Sequence, residues 1–220
     1  NIVRVISFFR EDNTVCMVMQ YERGKCLQDY MLSQPEKKNE KFVRRVFSEL
    51  LNGLREVHAQ KLLHLDIKPA NIYIRLDGSP VLLDFGSARQ TLTQAQSKLS
   101  PSYTPGFAPP EQYFERKQLG PWSDIYSVGA SMYSCMMRSA PIAANLRVNE
   151  DHLVPAIKIG KGIYTEELLK TIDGCLKLDY MQRPQSVFSL QKTLLEVVKP
   201  LPIKKPSFVN KIKNVLNKPL

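Results

Sequence analysis

The 220-residue sequence predicts an α+β fold, mainly helical, with a few short strands at its N-terminal end. Three observations predict it. Residues 2–9 and 14–21 are apolar, β-branched runs on either side of a polar turn, Arg10-Glu11-Asp12-Asn13, which is the pattern of a strand hairpin. Phe42, Val46, Leu50, Leu54 and Val57 then recur every three or four positions, the spacing of an amphipathic helix entered from the charged residues 36–41. Further helical patterns follow over residues 123–137, 166–177 and 185–198.

Between the first helix and the later ones, residues 72–74 and 81–83 flank Asp77-Gly78-Ser79-Pro80, a turn with hairpin chemistry, so a second pair of short strands is expected. A Ser/Thr/Gln/Pro-rich stretch over residues 87–105 lacks apolar periodicity and reads as a loop. No internal repeat is present.

Composition bounds the function. With 43% apolar and 24% charged residues the chain falls in the globular range and should bury a core. No apolar run approaches the roughly 20 residues that span a bilayer, and the first residues lack the layout of a signal peptide. Cys16, Cys26, Cys135 and Cys175 are dispersed, without a metal-like grouping with the three histidines, so a reducing cytoplasmic setting is expected. The formal charge of +10 suggests nucleic acid at first sight, but six lysines and no acid lie between Lys199 and Lys218, so most of the excess belongs to one segment and no nucleic-acid motif accompanies it.

The chemistry-bearing residues are His64-Leu65-Asp66-Ile67-Lys68-Pro69-Ala70-Asn71 and, after the short strands, Asp84-Phe85-Gly86. They supply a base, a cation for phosphate and two hard oxygen ligands at the spacing of phosphoryl-transfer enzymes. Either Asn71 or Asp84 alone is an ordinary turn former, and Asp66 with Lys68 alone would be an ordinary ion pair. Together they resemble the catalytic loop and metal-binding triplet of protein kinases, most closely the bacterial serine/threonine type, with Lys68 after the aspartate marking that class.

The resemblance covers roughly residues 1–198 and implies a mainly helical C-lobe with remnant N-lobe strands. It divides the chain into N-lobe strands and hinge (1–22), C-lobe (23–198) and a basic tail (199–220). It implies ATP and Mg²⁺ as co-substrate and cofactor, and Ser/Thr hydroxyls of proteins as acceptors. Asp66 would orient or accept the acceptor proton, Lys68 would steady the transferred phosphoryl group, and Asn71 and Asp84 would ligate Mg²⁺. Gly86 would turn the backbone after the metal ligand, and Phe85 would pack. His64 would be a buried scaffold residue, while His58 and His152 are assigned no role.

Residues 104–112, Thr-Pro-Gly-Phe-Ala-Pro-Pro-Glu-Gln, resemble the end of the family's activation loop, with Pro109 where alanine is usual. By that resemblance Thr104 would bond near Asp66 and Lys68, and Glu111 would pair with Arg183. Asp124 would cap the central helix and receive the catalytic-loop backbone. Residues 17–24 resemble the hinge: Met19 would stand at the back of the adenine pocket, Gln20 and Glu22 would offer backbone groups to the base, Tyr73 would lie beneath it and Cys26 near the ribose.

Two departures matter. Leu65 replaces the arginine that in many members clamps an activation-loop phosphate, so activity is expected to be independent of phosphorylation at Ser97, Ser100 or Ser102. The sequence also holds no G-x-G-x-x-G, strand lysine or partner glutamate, so a truncated kinase is expected rather than a degenerate scaffold, with little activity from these 220 residues alone. The tail places Phe208, Ile212, Val215 and Leu216 at helical spacing among lysines, as in a linker or a helix lying on anionic lipid.

Overall fold

The computed structural model describes residues 1–12, 14–33, 39–84, 89–90 and 103–195. The expected hairpin forms from β1 (Val5–Glu11) and β2 (Thr14–Met19), antiparallel, with Glu11 opposite Thr14. Glu11 therefore extends the strand instead of belonging to the turn, and Asp12 makes the reversal at φ 51°. Every residue of β1 is exposed, so this strand buries no side chain of its own.

The second pair also forms, as β5 (Ile72–Arg75) and β6 (Pro80–Leu82), joined through a turn in which Gly78 takes φ 84°. β3 (Gly24–Cys26) adds on the other side of β5, giving the order β3-β5-β6, and β4 (Leu62–Leu63) pairs with β7 (Arg89–Gln90). Pro80 is tolerated at the first position of its strand, where no ladder donor is needed.

α1 (Leu27–Ser33) has no counterpart in the sequence reading. It is two turns long and buries only Leu27 and Met31, too few positions to show a period. α2 (Glu40–Ala59) starts at Asn39, whose side-chain oxygen accepts from Phe42 N at 2.9 Å, so part of the charged segment belongs to the helix itself. Its apolar face, with Val46, Phe47, Leu50, Leu51 and Leu54 fully buried, forms one wall of the core.

α3 (Pro110–Tyr113) precedes α4 (Pro121–Met137), the other wall. Ile125, Tyr126, Val128, Ala130 and Met132 have no exposed surface, and α4 is apolar around most of its circumference, as a central helix must be. Gly129 lets α4 approach α7 (Glu166–Cys175): a Cβ there would sit 2.4 Å from that of Cys175. α5 (Ala144–Arg147) and α6 (Ala156–Ile159) are single turns, and α8 (Val187–Leu195) lies against α2.

One polar knot locks this helical body. Arg44 on α2 donates to the carbonyls of Thr193 and Leu194 at the end of α8, and to Thr165 at the start of α7, while Glu40 bonds Arg44 at 2.6 Å and Thr165 N at 2.6 Å. Among the described residues no helix is long and apolar enough to cross a membrane.

Candidate active site

The segment from His64 to Asn71 leaves β4, makes no regular structure and returns as β5. Its shape is imposed from α4. Asp124, with no exposed surface, accepts from His64 N at 2.9 Å through Oδ2 and from Leu65 N at 2.8 Å through Oδ1. Leu65 sits at φ 63°, a left-handed conformation that a γ-branched residue adopts at a cost of order 1–3 kcal/mol. Its N–H is held by Asp124 and its carbonyl accepts from Gln112 Nε2 at 2.9 Å, so both sides of the strained peptide are fixed.

Burial pushes the Asp124 carboxyl up, but the bond from His58 and the charges and donors around it outweigh burial and hold it below the usual carboxylate range. Two expectations are corrected here. Asp124 does not cap α4: the helix begins three residues earlier with Pro121 after Gly120, and Ser123 Oγ accepts from Gly120 N at 3.2 Å. His58 does have a role, since its Nε2 lies 2.7 Å from Asp124 Oδ2 and joins the end of α2 to the loop.

His64 is fully buried, with Nδ1 accepting from Asp66 N at 3.3 Å and Nε2 at 3.0 Å from the Leu83 carbonyl. The second contact makes Nε2 the protonated nitrogen of a neutral ring. Burial lowers the imidazole's pKa despite the attraction of Asp124, which agrees with that tautomer.

Held this way, the loop presents a cluster. The Asp66 carboxylate receives Lys68 Nζ at 2.8 Å and Asn71 Nδ2 at 3.0 Å on Oδ2, and the Thr104 hydroxyl at 2.7 Å on Oδ1. Lys68 also donates to Thr104 Oγ1 at 2.8 Å, so the end of the preceding loop is pinned to the site. Lys68 keeps 23% of its side chain exposed and Asp66 9%, so the cluster opens to solvent.

Asn71 also donates to the Asp66 carbonyl at 2.9 Å. Both partners of its amide nitrogen are acceptors, which fixes the amide orientation and leaves Oδ1 as the uncommitted oxygen. Leu83 N donates to the Asn71 carbonyl at 2.9 Å, which brings the exposed Asp84, at φ 57°, to the same edge. An amide oxygen and a carboxylate are the hard donors that Mg²⁺ takes while it keeps bonds to phosphate and water, so the residues present fit that ion. Phe85, Gly86 and the loop serines 97, 100 and 102 lie outside the described residues, as does the tail.

The residues expected at the hinge make contacts of their own, and the sheet links them to this cluster. Glu22 forms a two-pronged pair with Arg75 at 2.7 and 2.8 Å, and those bonds hold its carboxyl below the usual range. Cys26 faces Tyr73 across β3 and β5, both half-buried, and the Tyr73 hydroxyl donates to the Gly24 carbonyl at 2.9 Å. Gln20 N donates to the Arg4 carbonyl at 2.8 Å, and Met19, at the end of β2, is exposed. Since β5 begins directly after Asn71, this sheet runs into the cluster.

Glu111 and Arg183 meet over 72 residues of sequence, Nη1 at 2.7 Å from Oε1 and Nη2 at 3.0 Å from Oε2, with essentially no exposure. Arg183 also reaches the carbonyls of Lys177, Leu178 and Trp122, while Ser123 Oγ donates to Glu111, so few donors or acceptors are left unmet.

The sequence reading missed Gln112 and His58 as parts of the loop's support. Gln112 stood next to Glu111 in a quoted motif, and nothing local marked which backbone group its amide would meet.

Residues 1–195 match the family described as "Protein kinase domain". Serine/threonine-protein kinase B of Synechocystis sp. is 34% identical over 64% of this chain and 26% of its own length. Human Serine/threonine-protein kinase Nek10 is 29% identical over 85% of this chain and 16% of its own. A solved structure, "PpkA-294 apo form", is 36% identical with a TM-score of 0.76, covering 88% of this chain and 68% of that one. The chain thus spans about a quarter or less of these two curated relatives. With the fold, the loop geometry and these matches in agreement, the chain belongs to the protein kinase domain family, in its bacterial Hanks-type form.

Proposed function

We propose that this chain carries the phosphoryl-transfer face of a serine/threonine protein kinase, moving the terminal phosphate of ATP to Ser or Thr hydroxyls of proteins. The observation that supports it best is the Asp66 carboxylate, held at once by Lys68, Thr104 and Asn71 at a solvent-reaching edge.

In this reading Asp66 accepts a hydrogen bond from the acceptor hydroxyl and orients its oxygen for in-line attack. Lys68, tied to the same carboxylate, faces the transferred group and offsets its charge. Thr104 keeps both side chains in register, so a small part of the barrier is met by positioning before substrate arrives. Mg²⁺, when bound by Asn71 Oδ1 and Asp84, supplies neutralisation of the nucleotide phosphates. The base lies along the hinge, over Tyr73 and beside Met19, Gln20, Glu22 and Cys26. Phosphoryl transfer asks for charge placement more than for covalent chemistry, and this cluster supplies charges of both signs within 3 Å of one another.

A second reading is a scaffold that binds partners through the same lobe. The 220 residues hold no G-x-G-x-x-G, and a phosphate-covering loop is part of the full charge arrangement. We expect these 220 residues alone to transfer phosphate slowly for that reason. The deciding experiment incubates the full encoded protein with γ-labelled ATP, Mg²⁺ and a generic protein acceptor. Label on serine or threonine, reduced about 10²–10⁴-fold by Asp66→Asn, is the expected result. Label unaffected by that change, or none from a folded full-length protein, contradicts the transfer reading.

A further inference from the structure

Beside the Asp66 cluster lies a cavity of about 410 Å³, within the roughly 300–1,000 Å³ of ligand pockets. Pro69 and Phe107 line it from the segments that carry the cluster, and α1 and the end of α4 supply the rest of the wall. Pro69 directly follows Lys68, and its carbonyl accepts from Gln28 N at 3.2 Å, which fixes α1 against the loop. Phe107 closes a turn on Thr104, its N–H bonded to the Thr104 carbonyl at 3.1 Å and its own carbonyl held by Ser127 Oγ at 2.9 Å. Pro69 is three positions after Asp66, so their Cα atoms lie at most ~10 Å apart.

The lining has a marked charge character. Met31, Leu32, Phe107 and Pro69 make it apolar, and the flexible thioether of Met31 lets it adapt to more than one side chain. No Asp or Glu lines it. Arg138, at the end of α4, is its one charged residue. Arg138 is exposed, and no carboxylate pairs with it among the described residues. The last carbonyls of α4 carry an opposing partial charge of roughly −0.5, which a full guanidinium charge outweighs.

We propose that this cavity seats an apolar side chain of the acceptor polypeptide whose neighbour is acidic, with Arg138 reading the carboxylate, so that the chain selects acidic and rejects basic flanking sequence. This specificity rests on the transfer reading above. A lysine or arginine brought to the same place meets Arg138 with no counter-charge, and like-charge contact is the cheapest way to exclude a wrong partner.

The test uses two fluorescein-labelled peptides with a single serine in an Ala/Gly background, one bearing Leu-Glu and the other Leu-Arg about three residues from the serine, each made with the pair on either side. Full-length protein is assayed for binding by anisotropy and for phosphate transfer from Mg²⁺-ATP. The expected result is that one Glu peptide binds about fivefold to tenfold more tightly than its Arg counterpart and is phosphorylated with a correspondingly higher kcat/KM. Arg138→Gly, which suits the φ of 60° there, should abolish the preference, and Arg138→Lys should keep it.

Equal binding of the two charge forms, preference for the Arg peptides, preference that survives Arg138→Gly, or binding of no peptide overturns the proposal. Transfer to serine without charge preference overturns it and leaves the transfer reading intact. Charge-ordered binding without transfer to any peptide supports the cavity's preference and contradicts the transfer reading.

Discussion

Two carboxylate–cation clusters, tied to Thr104 and Glu111 seven positions apart in sequence, differ in what surrounds them. Glu111 and Arg183 are sealed, 2% and 0% exposed, and the carbonyls of Lys177, Leu178 and Trp122 accept from the guanidinium. Asp66 and Lys68 share the same pairing chemistry, but the lysine is 23% exposed and the pair's remaining partners, Thr104 and Asn71, are themselves neutral polar side chains. A sealed pair with its hydrogen bonds met fixes geometry, because its charges have no other place to go. An open pair can exchange partners, which a site that must admit a hydroxyl and a phosphate requires.

The comparison can be broken first at the sealed pair. Arg183→Ala leaves the Glu111 charge buried and unmatched, and should cost about 3–5 kcal/mol in urea unfolding. A loss below about 1 kcal/mol would mean that solvent reaches Glu111 and that the two clusters are alike.

His58→Phe tests the link between the helical body and the loop. It removes one donor from the buried Asp124 carboxylate while preserving bulk, with an expected loss of about 1.5–3 kcal/mol. Because Asp124 still holds His64 N and Leu65 N, the strained Leu65 should survive, and far-ultraviolet circular dichroism should be unchanged.

The pH dependence sharpens the contrast between core and site. His64 has a folded pKa below its unfolded value near 6.5, so below that pH the unfolded chain binds the extra proton. Its contribution to stability is present above about pH 6.5 and is lost as pH falls, at up to about 1.4 kcal/mol per pH unit. The depressed Asp124 acts in the same direction, but only below its unfolded value near 3.9. Tm should therefore decline from pH 7 to pH 5, and His64→Gln should flatten that slope; an unchanged slope would place the titrating group elsewhere.

The smallest effect is expected in the loop. With Leu65 buried and apolar, no arginine at that position can receive a phosphate, so Ser97, Ser100 and Ser102 replaced together by Ala should leave full-length activity within about twofold. A loss of activity without unfolding would assign the phosphate-binding cation to another residue.

How much of this was legible in the sequence follows from where each partner sits. Asp66, Lys68 and Asn71 lie within six residues, so their chemistry could be read as one motif before any fold was known. The periodic helices α2 and α7 were readable because burial on one face leaves a repeating trace. α1 was not, being two turns with two buried residues. Pro121 after Gly120 was a local start signal that went unread, and Asp124 was credited with the cap in its place. His58 and Gln112 act across 66 and 47 residues on a buried carboxylate and a backbone carbonyl, partners that only the tertiary packing selects.

The central claim, that the open cluster does chemistry and the sealed one holds shape, is tested most directly by measuring Asp66→Asn and Glu111→Gln side by side in full-length protein, for Mg²⁺-ATP-dependent transfer and for unfolding free energy. Asp66→Asn is predicted to lose about 10²–10⁴-fold in transfer while changing stability by about 1 kcal/mol or less. Glu111→Gln is predicted to lose several kcal/mol of stability while its folded fraction still transfers phosphate. If Asp66→Asn retains activity, or if its loss is matched by equal unfolding, the separation of roles between the two clusters is wrong.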